Sequence, residues 1–331
     1  MMPTATLLRL REMPLYTIPP IRLMIWVYEY SGNRLIYVDD KSGNTTGYEG
    51  GARTIDYDDN GNMITMPDKM IQEIQYNHLN LPNKFMINDY STNMSYLYRA
   101  DGTKLQKTFI SNANGSMYLT STQYLDGFHY ATEDGHTMGA WYEESGGFAS
   151  EPEVFTAIMQ EINYHNQLKF VPTAEGFFDF ENNQYIYQYK DHLGNARLSY
   201  KKAGNELLVT DSNDYYPFGM NFVRNEEDIT KFGTGSYVNY KYQSQELQET
   251  GMYDYGWRFY MPDIGRWGVV DPLSEKGHNF SPYNYAINNP IRFIDPDGLW
   301  ISITDGDNQY RYSNGQTQHQ VNGKWQAMIQ A

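Results

Sequence analysis

Two Asp-Pro dipeptides stand late in this 331-residue chain, Asp271-Pro272 and Asp295-Pro296, and there is no other. The second opens Asp295-Pro296-Asp297-Gly298, which suits a type I turn: Asp fits the first position, Pro presets the second and Gly relieves the last. Two carboxylates presented from two turns of one small region could share a proton, one serving as acid and the other as base. The first turn, Asp271-Pro272-Leu273-Ser274, has no glycine at its end. The plainer reading is that both side chains cap turns and accept backbone hydrogen bonds. That would lower their pKa values and spoil them for sharing a proton.

Other chemistries lack residues. Asp56, Asp58 and Asn60 alternate before Gly61 like the first half of a calcium loop, but Pro67 stands where the bidentate Glu is needed, so a hairpin turn is expected. His78, His129, His136, His165, His192, His278 and His319 form no pair at helical metal spacing with a third ligand nearby. There are no cysteines, which excludes disulfides, thiol catalysis and thiolate metal sites. No H-E-x-x-H, G-x-S-x-G, Walker or dinucleotide pattern occurs, so neither a metal nor a cofactor is expected. Lys and Arg number 25 against 40 Asp and Glu, a net of −15 that repels phosphate and argues against a nucleic-acid partner.

The elements that must position the two carboxylates read as strands. The chain carries 31 Tyr, 15 Phe and 6 Trp beside 28 Gly, a mixture that favours short strands and tight turns. Tyr28, Tyr57, Tyr76 and Tyr98 are each followed four residues later by Gly32, Gly61, Asn80 and Gly102, so a strand-turn-strand unit recurs. A lone hairpin is marginal in water, so the units must stack and share a core. Tyr185, Tyr187 and Tyr189 alternate onto one face before a turn at His192-Leu193-Gly194-Asn195. Tyr253, Tyr255, Trp257 and Phe259 read as a second aromatic face, turned at Pro262 to Gly265 into the strand that bears Trp267, and Trp257 is expected to be buried. The fold class expected is all-β, consecutive antiparallel hairpins forming an open spiral or shell, with one inserted helix near 153–169 where Val154, Ile158 and Ile162 recur at fourfold spacing. The N-terminus has no uninterrupted apolar run of signal-peptide length, and no segment approaches a membrane span.

These residues carry a resemblance. The tyrosine-glycine units resemble YD repeats. The pieces "DHLGNARLSY", "DYYPFGM", "YDYGWRFYMPDIGRWGVVDPL" and "SPYNYAINNPIRFIDPDG" resemble the RHS repeat-associated core domain in its Bacteroidetes-type form. The division this suggests is YD-repeat-like hairpins over 1–130, a variable insertion over 131–184, the core domain over 185–299, and over 300–331 the start or remnant of a C-terminal payload. The resemblance implies a secreted or surface-located β-shell that encloses a toxin payload, with an immunity protein or secretion apparatus as further partners. In some relatives the Asp-Pro turns act as an aspartyl protease, which maps onto Asp271 and Asp295 and onto cleavage between Leu299 and Trp300. The alternative is a surface adhesin or carbohydrate-binding module, which would leave a contiguous strip of exposed aromatics.

Overall fold

The computed structural model describes residues 26–42, 48, 51–113, 116–132, 136–137, 166–222, 236–276, 279–299, 301–305, 308–313, 316–321 and 324–327. One long antiparallel sheet dominates them. Its strands follow one another almost in chain order from Ile71–Tyr76 to Glu206–Ser212. A separate hairpin, Trp26–Ser31 with Arg34–Asp40, precedes the sheet, and a small meander of Glu246–Leu247, Tyr253–Asp254, Phe259–Met261 and Arg266–Trp267 follows it. Four short strands from Ser302–Asp305 to Lys324–Ala327 form a last meander.

The recurring unit is one turn used repeatedly. In it the first residue's N–H bonds the carbonyl four residues on, and the N–H of the fourth residue bonds back to the first. Asp58–Asn62, Asn77–Leu81, Arg99–Thr103 and Asp191–Asn195 all do this. The fourth position is left-handed in each, at Gly61, Asn80, Gly102 and Gly194, which is why Gly or Asn recurs there. The tyrosine before each of the first three turns has its own task. Tyr57, Tyr76 and Tyr98 donate their hydroxyls to the carbonyls of Leu35 (3.0 Å), Met63 (2.6 Å) and Pro82 (3.0 Å), each just beyond the preceding turn. The sequence period is therefore a latch from each unit to the one before it.

The block from residue 236 to 299 packs against this sheet. Met252, Phe259, Met261 and Ile264 join Phe85, Met94 and Tyr96 in one core, while Tyr242, Tyr253, Tyr255, Tyr260, Trp267 and Tyr285 build a second, largely aromatic one. A buried ionic cluster fastens block to sheet. Lys104 reaches Glu246 and Asp254, both at 2.6 Å, Lys107 reaches Glu246 (3.2 Å) and Glu249 (3.1 Å), and Tyr124 donates to Glu246. The two lysines hold the Glu246 carboxyl well below the usual carboxylate range, against the burial that would raise it.

Two expectations need correction. No α-helix occurs among the described residues, and of the helix expected near 153–169, residues 153–165 lie outside them. Residues 166–169 begin the strand Asn166–Thr173. Pairing on both sides, to Phe128–Thr132 and Gly176–Asp179, supplies its backbone bonds and overrides the helical pattern. Trp257 is only half-buried, because the chain turns at residues 255–258 and does not run straight from Tyr253 to Phe259. Trp267 is the buried tryptophan of this hairpin, at 1% exposure.

Candidate active site

The turn that displaces Trp257 creates the site. Tyr253–Asp254 and Phe259–Met261 pair as antiparallel strands, Tyr253 opposite Tyr260, and the four residues between them close with the Tyr255 N–H on the Arg258 carbonyl at 3.1 Å. Arg258 closes the turn and is 2% exposed. A buried guanidinium must be paired, since its uncompensated burial is costly. Its plane lies over the Trp267 ring, 4.2 Å from the centroid.

Both candidate carboxylates converge on that guanidinium. Nη2 donates to Asp295 Oδ2 at 3.1 Å. Nη1 lies 3.0 Å from Asp271 Oδ2, off the hydrogen-bond axis, so that pair is held by charge. Nε donates to the Gly298 carbonyl at 2.5 Å. Asp271 and Asp295 are thus brought together as the sequence suggested, but the described contact between them runs through Arg258 and not through a shared hydrogen bond.

Both Asp residues also cap their turns. Asp271 Oδ1 accepts the Leu273 N–H at 2.7 Å and Asp295 Oδ1 accepts the Gly298 N–H at 2.8 Å. For Asp295 the expected consequence is reversed. Burial pushes its pKa up to about 7, and the neighbouring Asp297 and Asp271 carboxylates add to this, while Arg258 and the Gly298 N–H oppose it without prevailing. One guanidinium cannot neutralise two carboxylates, and the more buried one holds the proton more readily. Asp271 has 24% of its side chain exposed against 1% for Asp295, so water reaches Asp271 and not its neighbour.

The chain is pinned on both sides of the Leu299–Trp300 bond. Upstream, the Leu299 N–H donates to Asp297 Oδ1 at 3.0 Å. Downstream, Ile294 and Ser302 exchange both backbone bonds, at 2.9 and 2.6 Å. Gly298 is left-handed at φ 80°, and a Cβ there would stand 3.0 Å from the Arg258 nitrogen, so glycine is required. Trp300 lies outside the described residues.

Sequence reasoning missed Arg258, 13 and 37 residues from its partners. The one local signal was an arginine flanked by Trp257 and Phe259 in a run of core aromatics, where a charge needs a counter-ion. The half calcium loop resolves as a turn: Asp58 Oδ1 accepts the Asn62 N–H at 2.7 Å and Oδ2 accepts from the Asn62 amide at 2.9 Å. His129 is a packing residue, stacked 4.2 Å from Phe170 and bonded to the Tyr240 hydroxyl at 2.7 Å.

Comparison with known proteins places the fold. The chain is similar to Toxin subunit YenC2 of Yersinia entomophaga, 27% identical over 215 residues that cover 63% of this chain and 20% of that protein. It is also similar to Salivary gland surface protein 1 of Aedes aegypti, 29% identical over 256 residues that cover 76% of this chain and 7% of that protein. Among solved structures, TcdB2-TccC3-Cdc42 matches with a TM-score of 0.56 at 19% identity, over 83% of this chain and 13% of that one. The chain therefore shares its strand-built fold with TcdB2-TccC3-Cdc42, and its similar proteins include a toxin subunit. It spans only a fifth or less of the length of these relatives. No family model matches it.

Proposed function

We propose that this chain is the end of an RHS-type toxin shell of the Bacteroidetes form, encloses a C-terminal payload that begins at residue 300, and cuts the chain between Leu299 and Trp300. The reading includes the fourfold division of the chain given above and a secreted or surface location, with an immunity protein or secretion apparatus as partners. One observation carries it: Arg258 holds Asp271, Asp295 and the Gly298 carbonyl on one guanidinium, one residue before the bond to be cut.

The roles follow from burial and charge. Asp271, the carboxylate that water reaches, takes a proton from a water molecule whose oxygen attacks the Leu299 carbonyl carbon. Asp295, carrying its proton at neutral pH, donates to the carbonyl oxygen as charge develops there. The C–N bond then breaks as Asp271 passes its proton to the Trp300 nitrogen and Asp295 takes one back from the hydrated carbonyl, which leaves Leu299 with a carboxyl group. Arg258 touches both acids and holds them in place, while burial sets Asp295 apart. Positioned acid–base groups contribute roughly 10²–10⁴ in rate, to which holding the scissile strand in place adds. The test is the Asp271→Asn and Asp295→Asn pair. Each should leave the chain uncut with its β-structure unchanged, and cutting that persists in both would refute the assignment.

A second reading, glycan binding, draws on a different surface. Phe178 faces Tyr185 and Tyr187 faces Tyr200 across neighbouring strands, with ring centroids 4.9 and 5.6 Å apart. Tyr185 and Tyr189 are 55% and 66% exposed. Such an outward strip can stack on sugar rings. Retention on polysaccharide resins that is lost on Tyr185→Ala would support it, and equal retention of the variant would discard it.

A further inference from the structure

Three successive carbonyls before the proposed cut are each taken by a donor from one segment. Gln245 Nε2 donates to the Pro296 carbonyl at 2.8 Å, the Trp257 N–H to the Asp297 carbonyl at 3.2 Å, and Arg258 Nε to the Gly298 carbonyl at 2.5 Å. Every donor lies between residues 245 and 258, in the block that one shared core and the ionic cluster fix to the sheet. The Leu299 carbonyl is the next in the series. Its own N–H is already turned onto Asp297, so the residue is oriented from its nitrogen side before any side chain is read.

Resting on the self-cleavage reading, we propose that the cut is placed by counting and not by sequence: the clamp from Gln245, Trp257 and Arg258 sets the register, and the first carbonyl past Gly298 is cut whatever residue carries it. Gln245 is then a positioning residue that acts through the Pro296 carbonyl. Two features agree. All three rungs bind main-chain oxygens, which every sequence offers, and the Leu299 side chain is left half-buried. The residue whose identity is fixed is Gly298, by its left-handed backbone and by the closeness of the Arg258 nitrogen. Peptide-bond cleavage placed this way demands a rigid frame, because a displacement of about 1 Å costs on the order of 10² in rate.

The experiment is intact-mass spectrometry of the full chain and three kinds of variant. The parent should give a product ending at Leu299. A chain with one alanine inserted between Gly298 and Leu299 should give a product ending at that alanine, and Leu299→Ala should be cut at the unchanged position. Gln245→Ala should slow the cut by about fivefold to tenfold, the effect of one lost hydrogen bond, and Gln245→Lys, which restores a donor, should recover the rate. A product of the insertion variant ending at Leu299, an uncut insertion variant or an uncut Leu299→Ala beside a cut parent would each overturn the counting rule while sparing the cleavage reading. An uncut parent would overturn both.

Discussion

Asp295 is where a single residue decides the chemistry. Its folded pKa of about 7 lies above its unfolded value, so between roughly pH 4 and 7 the folded chain binds the extra proton and stability falls as pH rises through that window. The effect is on the order of 4 kcal/mol at most, one pKa unit being about 1.4 kcal/mol. Denaturation midpoints measured from pH 4 to 8 should therefore decline with pH, and Asp295→Asn should flatten that decline; parallel curves would mean that the carboxyl is not buried as described. Cleavage needs the protonated form, so its rate should drop as pH passes about 7. The turn chemistry of Asp271 and Asp295 was legible from Asp-Pro alone. The reversal of the Asp295 pKa was not, because burial and Arg258 come from residues distant in sequence.

At the scale of elements, the tyrosine that opens each unit is a donor as well as a packing ring. Tyr76→Phe keeps the ring and removes only the bond to the Met63 carbonyl, so it should cost about 1–3 kcal/mol, the penalty of an unmet buried acceptor. A change within error in urea denaturation would reduce the latch to packing. The hairpin at Pro262 to Gly265 supplies a second comparison. Trp267→Ala should cost about 3–5 kcal/mol, the range for a buried large aromatic, and Trp257→Ala clearly less. Alternation read Tyr253, Tyr255, Trp257 and Phe259 as one face, but it ran straight through the turn at residues 255–258, after which Phe259 enters a different core from Tyr253 and Tyr255. Gly256 marked that turn; a period-two pattern that continues across a glycine conceals it.

For the whole molecule, hairpin order and an all-β fold were readable because each unit carries its own turn signal. What no local pattern could show is how the block after residue 236 meets the sheet, since Lys104 and Lys107 find Glu246, Glu249 and Asp254 across 139 to 150 residues. Removing Lys104 leaves the buried carboxylates of Glu246, Glu249 and Asp254 with Lys107 alone, so Lys104→Ala should destabilise by about 3–5 kcal/mol and loosen the block from the sheet. Faster amide exchange at residues 246–261 in that variant would show it, and unchanged exchange would contradict the clamp. The central claim is a cut made within one chain by the Arg258, Asp271 and Asp295 site. Its most direct test is a mass-spectrometric time course of the purified 331-residue chain at two protein concentrations tenfold apart. The account predicts a product ending at Leu299 that forms with the same rate constant at both concentrations and disappears in Asp295→Asn; a chain that stays intact through long incubation would contradict it.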